Sequence, residues 1–160
     1  MDLSMVSVDK PEGVNIIIGQ AHFIKSIEDL YETIKNTIPS CGFAIAFNEA
    51  SGDRLVRWEG NDGELVDVAC RTAGEIGAGH LFVILLRNAF PINVLNALKL
   101  VPEVCTIYCA TANPLQVVVV ESDQGRGVVG VIDGLRPEGV EDEGAKRERR
   151  DLLRRFGYKF

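Results

Sequence analysis

The residues Gly77-Ala78-Gly79-His80 lead into six consecutive apolar residues, Leu81-Phe82-Val83-Ile84-Leu85-Leu86, which are followed by Arg87-Asn88. An uninterrupted run with β-branched and aromatic members is typical of a strand that is buried on both faces. Such a strand is usually central in a sheet that helices cover. The run therefore predicts the core strand of the fold, with His80 at its start and Arg87 and Asn88 at its end.

The patterns on either side of this strand predict the remaining elements. Apolar runs indicate further strands at 3–8, 14–18, 41–47, 55–58, 104–110, 115–121 and 128–132. Apolar residues at helical spacing indicate helices at 27–38, 65–76, 92–100 and 145–156. A turn at 10–13 predicts that the first two strands form a hairpin. The order of elements predicts an α/β fold: a single domain over residues 1–160, with a mixed β-sheet and helices packed outside.

The length and composition are those of one globular domain. The chain has 160 residues, of which 46% are hydrophobic and 25% are charged, and both fractions are ordinary for a globular protein. No apolar run approaches the roughly 20 residues that a membrane-spanning helix needs, and the N-terminus lacks the basic and apolar regions of a signal peptide. We therefore expect a cytoplasmic protein without a membrane partner.

Charge is distributed unevenly along the chain. Residues 143–160 contain seven basic and three acidic residues, a net charge of +4, and the remaining residues carry a net charge of −10. An acidic body argues against a general nucleic-acid-binding function. We expect the basic segment to be a solvated helix face, or a contact with the acidic body of a neighbouring subunit, rather than an RNA-binding surface.

Four cysteines are present, and their spacing does not indicate a metal site. Cys105 and Cys109 would share one face of a strand, while Cys41 and Cys70 lie elsewhere. Structural zinc sites usually contain paired CxxC units or Cys/His clusters, which this sequence lacks. The four thiols are therefore predicted to be small apolar groups of the core.

The motifs of the common nucleotide-transfer folds are missing. There is no GxxxxGK[ST] sequence and no Gly-rich loop combined with HRD and DFG motifs. Residues 125–130 match GxGxxG, but they run into a β-branched stretch and do not open a helix. A dinucleotide-binding loop must open a helix. We therefore predict a hairpin turn, with Arg126 at its tip where it could contact a phosphate.

Two histidines, His22 and His80, are the candidate nucleophiles. Both follow predicted strands or turns and lie beside small residues, where sites form in α/β sheets. A neutral imidazole is a competent nucleophile near neutral pH. The N–H groups of residues 77–79, just before His80, could also form an anion-binding concavity. A structural role for either histidine is the alternative.

A polar loop after the predicted strand 41–47 is a second candidate region. A polar turn is the simpler interpretation of such a segment. The functional interpretation is a ribose or Mg²⁺ site, since carboxylates suit hard cations. The residues of the loop and its vicinity that could contribute are Glu49, Ser51, Asp53, Arg54, Asn61 and Asp62.

Several segments together resemble the small adenosine-specific kinase family of archaea and bacteria. The resemblance covers nearly the whole chain, and it is specific in the combination of segments rather than in any one of them. The segments are Gly19-Gln20-Ala21-His22-Phe23-Ile24-Lys25, Glu49-Ala50-Ser51-Gly52, Leu55-Val56-Arg57-Trp58, Gly77-Ala78-Gly79-His80, Phe90-Pro91-Ile92-Asn93-Val94-Leu95-Asn96, Cys109-Ala110-Thr111-Ala112-Asn113-Pro114 and Gly134.

This resemblance implies a biochemical function. It implies binding of adenosine and AMP, phosphoryl transfer to a nucleoside from ATP, a stably phosphorylated histidine and a homo-oligomer, a trimer or a multiple of it. The resemblance does not assign the phosphohistidine to His22 or to His80. We favour His80, because two glycines before it permit close approach of a phosphate and because it begins the most buried strand.

The remaining candidates are assigned by their chemistry. The adenine would lie against apolar residues at strand ends, with Asn88 or Asn113 available for its edge. Glu49 or Asp62 would hold the ribose hydroxyls or Mg²⁺. Arg87 and Lys25 would neutralise phosphate charge, since phosphoryl transfer depends mostly on positioning and electrostatics.

Two other functions remain open. A non-catalytic sensor of adenine nucleotides would use the same site as the phosphotransferase. RNA binding through the basic C-terminal helix predicts a steep dependence of affinity on salt, but the small number of aromatic residues argues against it.

Overall fold

The computed structural model describes residues 2–160, which form eight strands and four helices. The α/β class and the helices outside the sheets are confirmed. A single 3₁₀ turn at Pro91–Asn93 replaces the start of the predicted helix 92–100. In chain order the elements are β1 (Asp2–Ser7), β2 (Asn15–Ala21), α1 (Ser26–Thr37), β3 (Gly42–Asn48), β4 (Val56–Gly60), α2 (Gly63–Ile76), β5 (Leu81–Arg87), α3 (Leu95–Lys99), β6 (Val104–Thr111), β7 (Leu115–Glu121), β8 (Arg126–Asp133) and α4 (Glu143–Arg155).

The main sheet has five strands in the order β4-β3-β5-β2-β6, so that β5 is its centre, as predicted. Ile84 of β5 lies opposite Ile17 of β2 on one side and Ile45 of β3 on the other. Six of the seven residues of β5 are buried. The side chain of Ile84 faces α1 and α3, and that of Val83 faces α2 and the second sheet. Both faces are apolar because both are covered.

A second sheet has three strands in the order β1-β7-β8. The predicted hairpin of the first two strands is therefore wrong. The chain does turn, with the Val14 N–H donating to the Pro11 carbonyl oxygen at 3.2 Å, but β1 pairs with β7 and β2 pairs with β5 and β6. The burial pattern gives the reason: β2 is almost fully buried, whereas β1 is an exposed edge strand.

The strand directions also differ from the prediction of a mixed sheet. Every ladder between the strands of residues 2–160 is antiparallel. Each of the helices α1, α2 and α3 does connect two strands that run in the same direction. The two connected strands are not neighbours, however, because one other strand lies between them in the sheet. An antiparallel strand fills that position: β5 lies between β2 and β3, and β2 lies between β5 and β6. One isolated parallel bridge joins Ala78 to Arg126.

The cysteines follow the core prediction only in part. Cys41 and Cys109 are buried and Cys70 is half-buried, but Cys105 is exposed. Burial raises the pKa of the Cys109 thiol to about 11, because desolvation disfavours the thiolate. Cys105 and Cys109 are four residues apart on β6, and the edge position of this strand leaves its first residues uncovered.

The C-terminal helix α4 has little contact with the rest of the chain. None of its residues is buried, and Leu152 and Phe156 are 39% and 67% exposed. An amphipathic helix whose apolar side is uncovered is typical of a contact surface. Within residues 2–160, none of the helices has the length and apolar character needed to cross a lipid bilayer.

We predict that removal of residues 145–160 reduces self-association. The apolar groups of Leu152 and Phe156 should supply most of the contact energy, because exposed ion pairs between the basic helix and an acidic body are individually weak. Light scattering of the shortened chain and the full chain measures the mass of each. Leu100→Ser, which removes another apolar side chain that is 82% exposed, is the control and should leave the mass unchanged. An unchanged mass of the shortened chain would contradict the prediction.

Candidate functional site

A cavity of about 750 Å³ lies at the edge of the main sheet where β3 ends and β5 begins. Three segments form its wall: the loop between β3 and β4, the turn between α2 and β5, and the hairpin between β7 and β8. Its volume is in the range that is usual for sites of small ligands. The residues that line it include Asn48, Glu49, Arg54, Gly77, His80 and Arg126.

The backbone of His80 is fixed by both strands beside β5. Its N–H donates to the Asn48 carbonyl oxygen at 2.8 Å, and its carbonyl oxygen accepts from the Ala21 N–H at 3.0 Å. Its φ of 63° is in the left-handed region, which costs a residue with a Cβ on the order of 1 kcal/mol. The half-buried imidazole is stacked on the Phe47 ring, with 5.7 Å between the ring centroids. His80 is thus rigid, strained and at the wall of the cavity.

Glu49 also lines the cavity, and its side chain ties together the two ends of the loop between β3 and β4. Its carboxylate accepts from the Leu55 N–H at 3.0 Å and from Arg57 Nη2 at 3.0 Å. The hydrogen bond from the Leu55 N–H is the main cause that holds the pKa of this carboxyl below its usual range, and Arg57 adds to the effect. Glu49 is therefore an ionised group of the cavity wall with both of its oxygens engaged by protein donors.

Asn48 supplies a hydrogen-bonding group that no protein atom satisfies. Its Nδ2 donates to the carbonyl oxygens of Ala73 at 2.8 Å and Ala78 at 2.9 Å. These two acceptors fix the orientation of the amide, because only the NH₂ group can donate to both. Asn48 Oδ1 is buried and has no partner among residues 2–160. Buried polar groups are almost always hydrogen-bonded, so the unpartnered oxygen marks this part of the wall as a place for a donor.

One of the three N–H groups of the predicted anion-binding concavity at residues 77–79, that of Gly77, is already used by the fold. The Gly77 N–H donates to the Ala73 carbonyl oxygen and ends α2, and the His80 N–H donates to Asn48. The carbonyl end of α2 also points to this turn, and that end of a helix disfavours anions. Positive charge at the cavity comes instead from the side chains of Arg54 and Arg126.

Three further predicted residues lie at the same sheet edge but do not line the cavity. His22 is exposed, with its N–H donating to the Glu103 carbonyl oxygen at 2.7 Å. Ser51 lies in the exposed turn of the loop that Glu49 closes. Lys25 is paired with Asp29 and, at 2.9 Å, with Glu103, and these two carboxylates raise its pKa. The charge of Lys25 is therefore already neutralised.

The other five predicted residues lie at the opposite edge of the sheet, and the structure does not bring them to His80. Asn61 hydrogen-bonds the backbone at Phe43 and Cys41, and Asp62 caps α2 through the Leu65 N–H. Arg87 pairs with Asp62 at 2.6 Å and with Glu64 at 3.0 Å. The exposed residues Asn88, with a φ of 58°, and Asn113 follow the ends of β5 and β6.

The separation follows from strand direction. A strand of seven residues with a rise of about 3.4 Å per residue puts roughly 24 Å between His80 and Arg87. The ends of parallel strands meet at one edge, but those of antiparallel neighbours alternate between edges. Residues that follow different strands therefore divide between two edges.

Asn48 is a residue of the cavity wall to which the sequence assigns no functional role. The sequence predicts Arg54 as one of the loop residues that could form a ribose or Mg²⁺ site and Arg126 as a hairpin residue that could contact a phosphate, but it places Asn48 only at the start of the polar loop. The signal for Arg126 is the Gly-Arg-Gly sequence around it, because glycines on both sides of a cation leave its surroundings open.

The cavity wall does not fit a magnesium site built by the protein. Glu49 is the one carboxylate among the lining residues, and Arg57 and Leu55 already occupy its oxygens. Among residues 2–160 there is no group of three or more His, Cys, Asp or Glu side chains arranged to hold a metal ion.

Comparison with known proteins identifies relatives of the whole chain. A family model described as adenosine specific kinase matches residues 6–159. The crystal structure of PH1918 protein from Pyrococcus horikoshii OT3 is similar with a TM-score of 0.96 and 46% sequence identity, over 99% of this chain and 98% of that chain. None of the curated proteins compared with the chain matches it.

We predict that Glu49 stabilises its loop in a pH-dependent manner. A carboxyl whose pKa is lowered by folding contributes stability above its unfolded pKa of about 4.3, and that contribution is lost as the pH falls through the lowered value. Glu49→Gln should therefore unfold at lower urea concentration than the parent protein at pH 7, and the difference should shrink at pH 3. Glu59→Gln, on the exposed face of β4, is the control. A difference that persists unchanged at pH 3 would contradict this assignment.

Proposed function

Since the chain belongs to the adenosine-specific kinase family, we propose that it is a phosphotransferase that binds adenosine and AMP in the cavity beside His80. The observation that supports this best is a rigid histidine at the wall of a cavity of nucleotide size. Two arginines and an unpartnered amide oxygen in the same wall add the charge and hydrogen-bonding groups that a nucleotide requires. The polar groups at the other sheet edge are hydrogen-bonded within the fold or exposed.

In the proposed reaction His80 is the nucleophile and ATP is the phosphoryl donor. A ring nitrogen forms a bond to the terminal phosphorus, the bond from that phosphorus to the bridging oxygen breaks, and ADP leaves with the electron pair. A hydroxyl of adenosine then attacks the phosphorus, the P–N bond breaks, and the hydroxyl proton passes to solvent. Transfer of this kind depends on positioning, and the two hydrogen bonds that fix the His80 backbone support the assignment.

We also propose a homo-oligomer, a trimer or a multiple of it. The exposed apolar residues of α4 support self-association, and their basic surroundings would complement an acidic body. A sensor that binds adenine nucleotides without turnover would use the same cavity. Formation of AMP from ATP and adenosine by the pure protein distinguishes the phosphotransferase from the sensor.

We predict that His80 accepts the phosphoryl group. The protein, His80→Asn and His22→Asn would each be incubated with ATP labelled in the terminal phosphate, and the acid-labile label on the chain would be measured. We expect the label in the parent protein and in His22→Asn, and its loss in His80→Asn. Label lost in His22→Asn and kept in His80→Asn would reverse the assignment. Label kept in both variants would exclude a phosphohistidine at either position.

We predict that the protein prefers AMP to GMP by at least tenfold in affinity. An amide oxygen of a side chain at a strand end can accept a hydrogen bond from the 6-amino group of adenine, but the 6-oxo group of guanine cannot donate to it. A site that hydrogen-bonds one base edge rejects the other because buried polar groups stay unpaired. Calorimetric titration with AMP and with GMP measures the ratio, and adenosine and guanosine are the controls without phosphate. Equal affinity for AMP and GMP would contradict the prediction.

A further inference from the structure

Arg126 is held at the cavity by groups from three elements. It begins β8, and its backbone bridges Ala78 in the turn that precedes His80. Its Nη1 donates to the Glu75 carbonyl oxygen at 3.0 Å, and its Nη2 donates to Glu121 at 3.3 Å. The guanidinium therefore has one position relative to the cavity wall, which is the condition for a preorganised binding group.

Gly77 makes room for this position. A Cβ at residue 77 would lie 3.3 Å from Arg126 Cδ and 3.6 Å from its Nη1, and the φ of 68° at Gly77 is one that glycine adopts without strain. The turn that ends α2 thus does two things at once. It stops the helix, and it leaves the space through which the arginine side chain reaches the last carbonyl groups of the helix.

The local charges favour an anion beside Arg126. The guanidinium offsets the negative carbonyl end of α2, which by itself would repel a phosphate. Its one carboxylate partner, Glu121, is 52% exposed, and exposed pairs of this kind are weak. A phosphate in the cavity can therefore replace Glu121 as the partner of Arg126 at small cost.

Arg54 is the second cation of the cavity wall. It is exposed in the loop after β3, with a φ of 53°. Its guanidinium takes part in none of the ion pairs found among residues 2–160. Two other cations near this sheet edge already form ion pairs. Arg57 pairs with Glu49, and Lys25 pairs with Asp29 and Glu103.

We propose that Arg126, together with Arg54, binds the phosphate group of a nucleoside monophosphate in this cavity. The proposal rests on the proposed function. It replaces Arg87 and Lys25 as the predicted phosphate-binding residues, and it extends the expectation that Arg126 could contact a phosphate. Arg126 acts as the donor that the fold holds in place, and Arg54 acts as the exposed donor. The guanidinium group suits the task because it presents parallel N–H donors to a phosphate and keeps its charge at every physiological pH.

The test compares the affinities for AMP and adenosine, which differ only in the phosphate. In the parent protein AMP should bind more tightly than adenosine, and the difference should shrink as salt is added. Arg126→Gln removes the charge and shortens the side chain, while it keeps a polar N–H donor at this position. We expect it to weaken AMP binding by about tenfold or more, the effect of losing a hydrogen bond from a charged group, and to change adenosine binding by less than about twofold.

Two further variants complete the experiment. Arg54→Gln should also weaken AMP selectively, and the exposure of Arg54 means that its replacement leaves the fold intact even if Arg126→Gln does not fold. Arg87→Gln is the matched control, since Arg87 pairs with Asp62 and Glu64 near the other end of α2. It should leave the ratio of AMP to adenosine affinity unchanged.

The outcomes separate this inference from the proposed function. Equal binding of AMP and adenosine by the parent protein would overturn the inference and leave adenosine binding intact. An equal loss of both ligands in Arg126→Gln, with no selective loss in Arg54→Gln, would show that Arg126 is only structural. Failure of the parent protein to bind either ligand would overturn both the inference and the proposed function.

Discussion

The antiparallel pairing of β5 with both of its neighbours is the constraint on which the rest of the structure depends. Each large apolar side chain of this strand contributes about 1.5–3 kcal/mol when it is fully buried, and Leu81 to Leu86 are at most 1% exposed. Hydrogen bonds to β2 and β3 satisfy the backbone on both sides. The strand cannot shift by one residue without exchanging its two apolar faces between different layers. Its ends are therefore fixed points, and His80 is one of them.

This rigidity explains how a strained residue can be maintained at the cavity. The left-handed backbone of His80 is unfavourable for a residue with a side chain, and it persists only where the surroundings determine it. Hydrogen bonds from Ala21 and to Asn48 tie it to the ends of both neighbouring strands. The Phe47 ring, which belongs to the core between the main sheet and α1, restricts its imidazole. The position of the ring is thus set by the same core that holds the sheet together.

Local patterns in the sequence predicted the elements well, because the apolar residues of a buried face recur at the spacing that is characteristic of a helix or a strand. The alternation or continuity of apolar residues located all eight strands to within a few positions. Strand adjacency is not local: β5 lies between β2 and β3 although it follows both in the chain. The same limit applied to the site. His80 and Arg87 are close in sequence, yet the extended strand between them carries them to opposite edges, while Arg126, far along the chain, reaches the cavity of His80.

The cavity therefore depends on contact between the two sheets. One part of its wall is the edge of the main sheet, and another is the β7–β8 hairpin of the second sheet. The bridge between Ala78 and Arg126 is where the two meet, and the missing side chain at Gly77 permits the approach. Because the histidine comes from one sheet and the fixed arginine from the other, neither sheet alone contains the constellation. Packing of the valines of β7 into the shared core therefore sets the distance between His80 and Arg126.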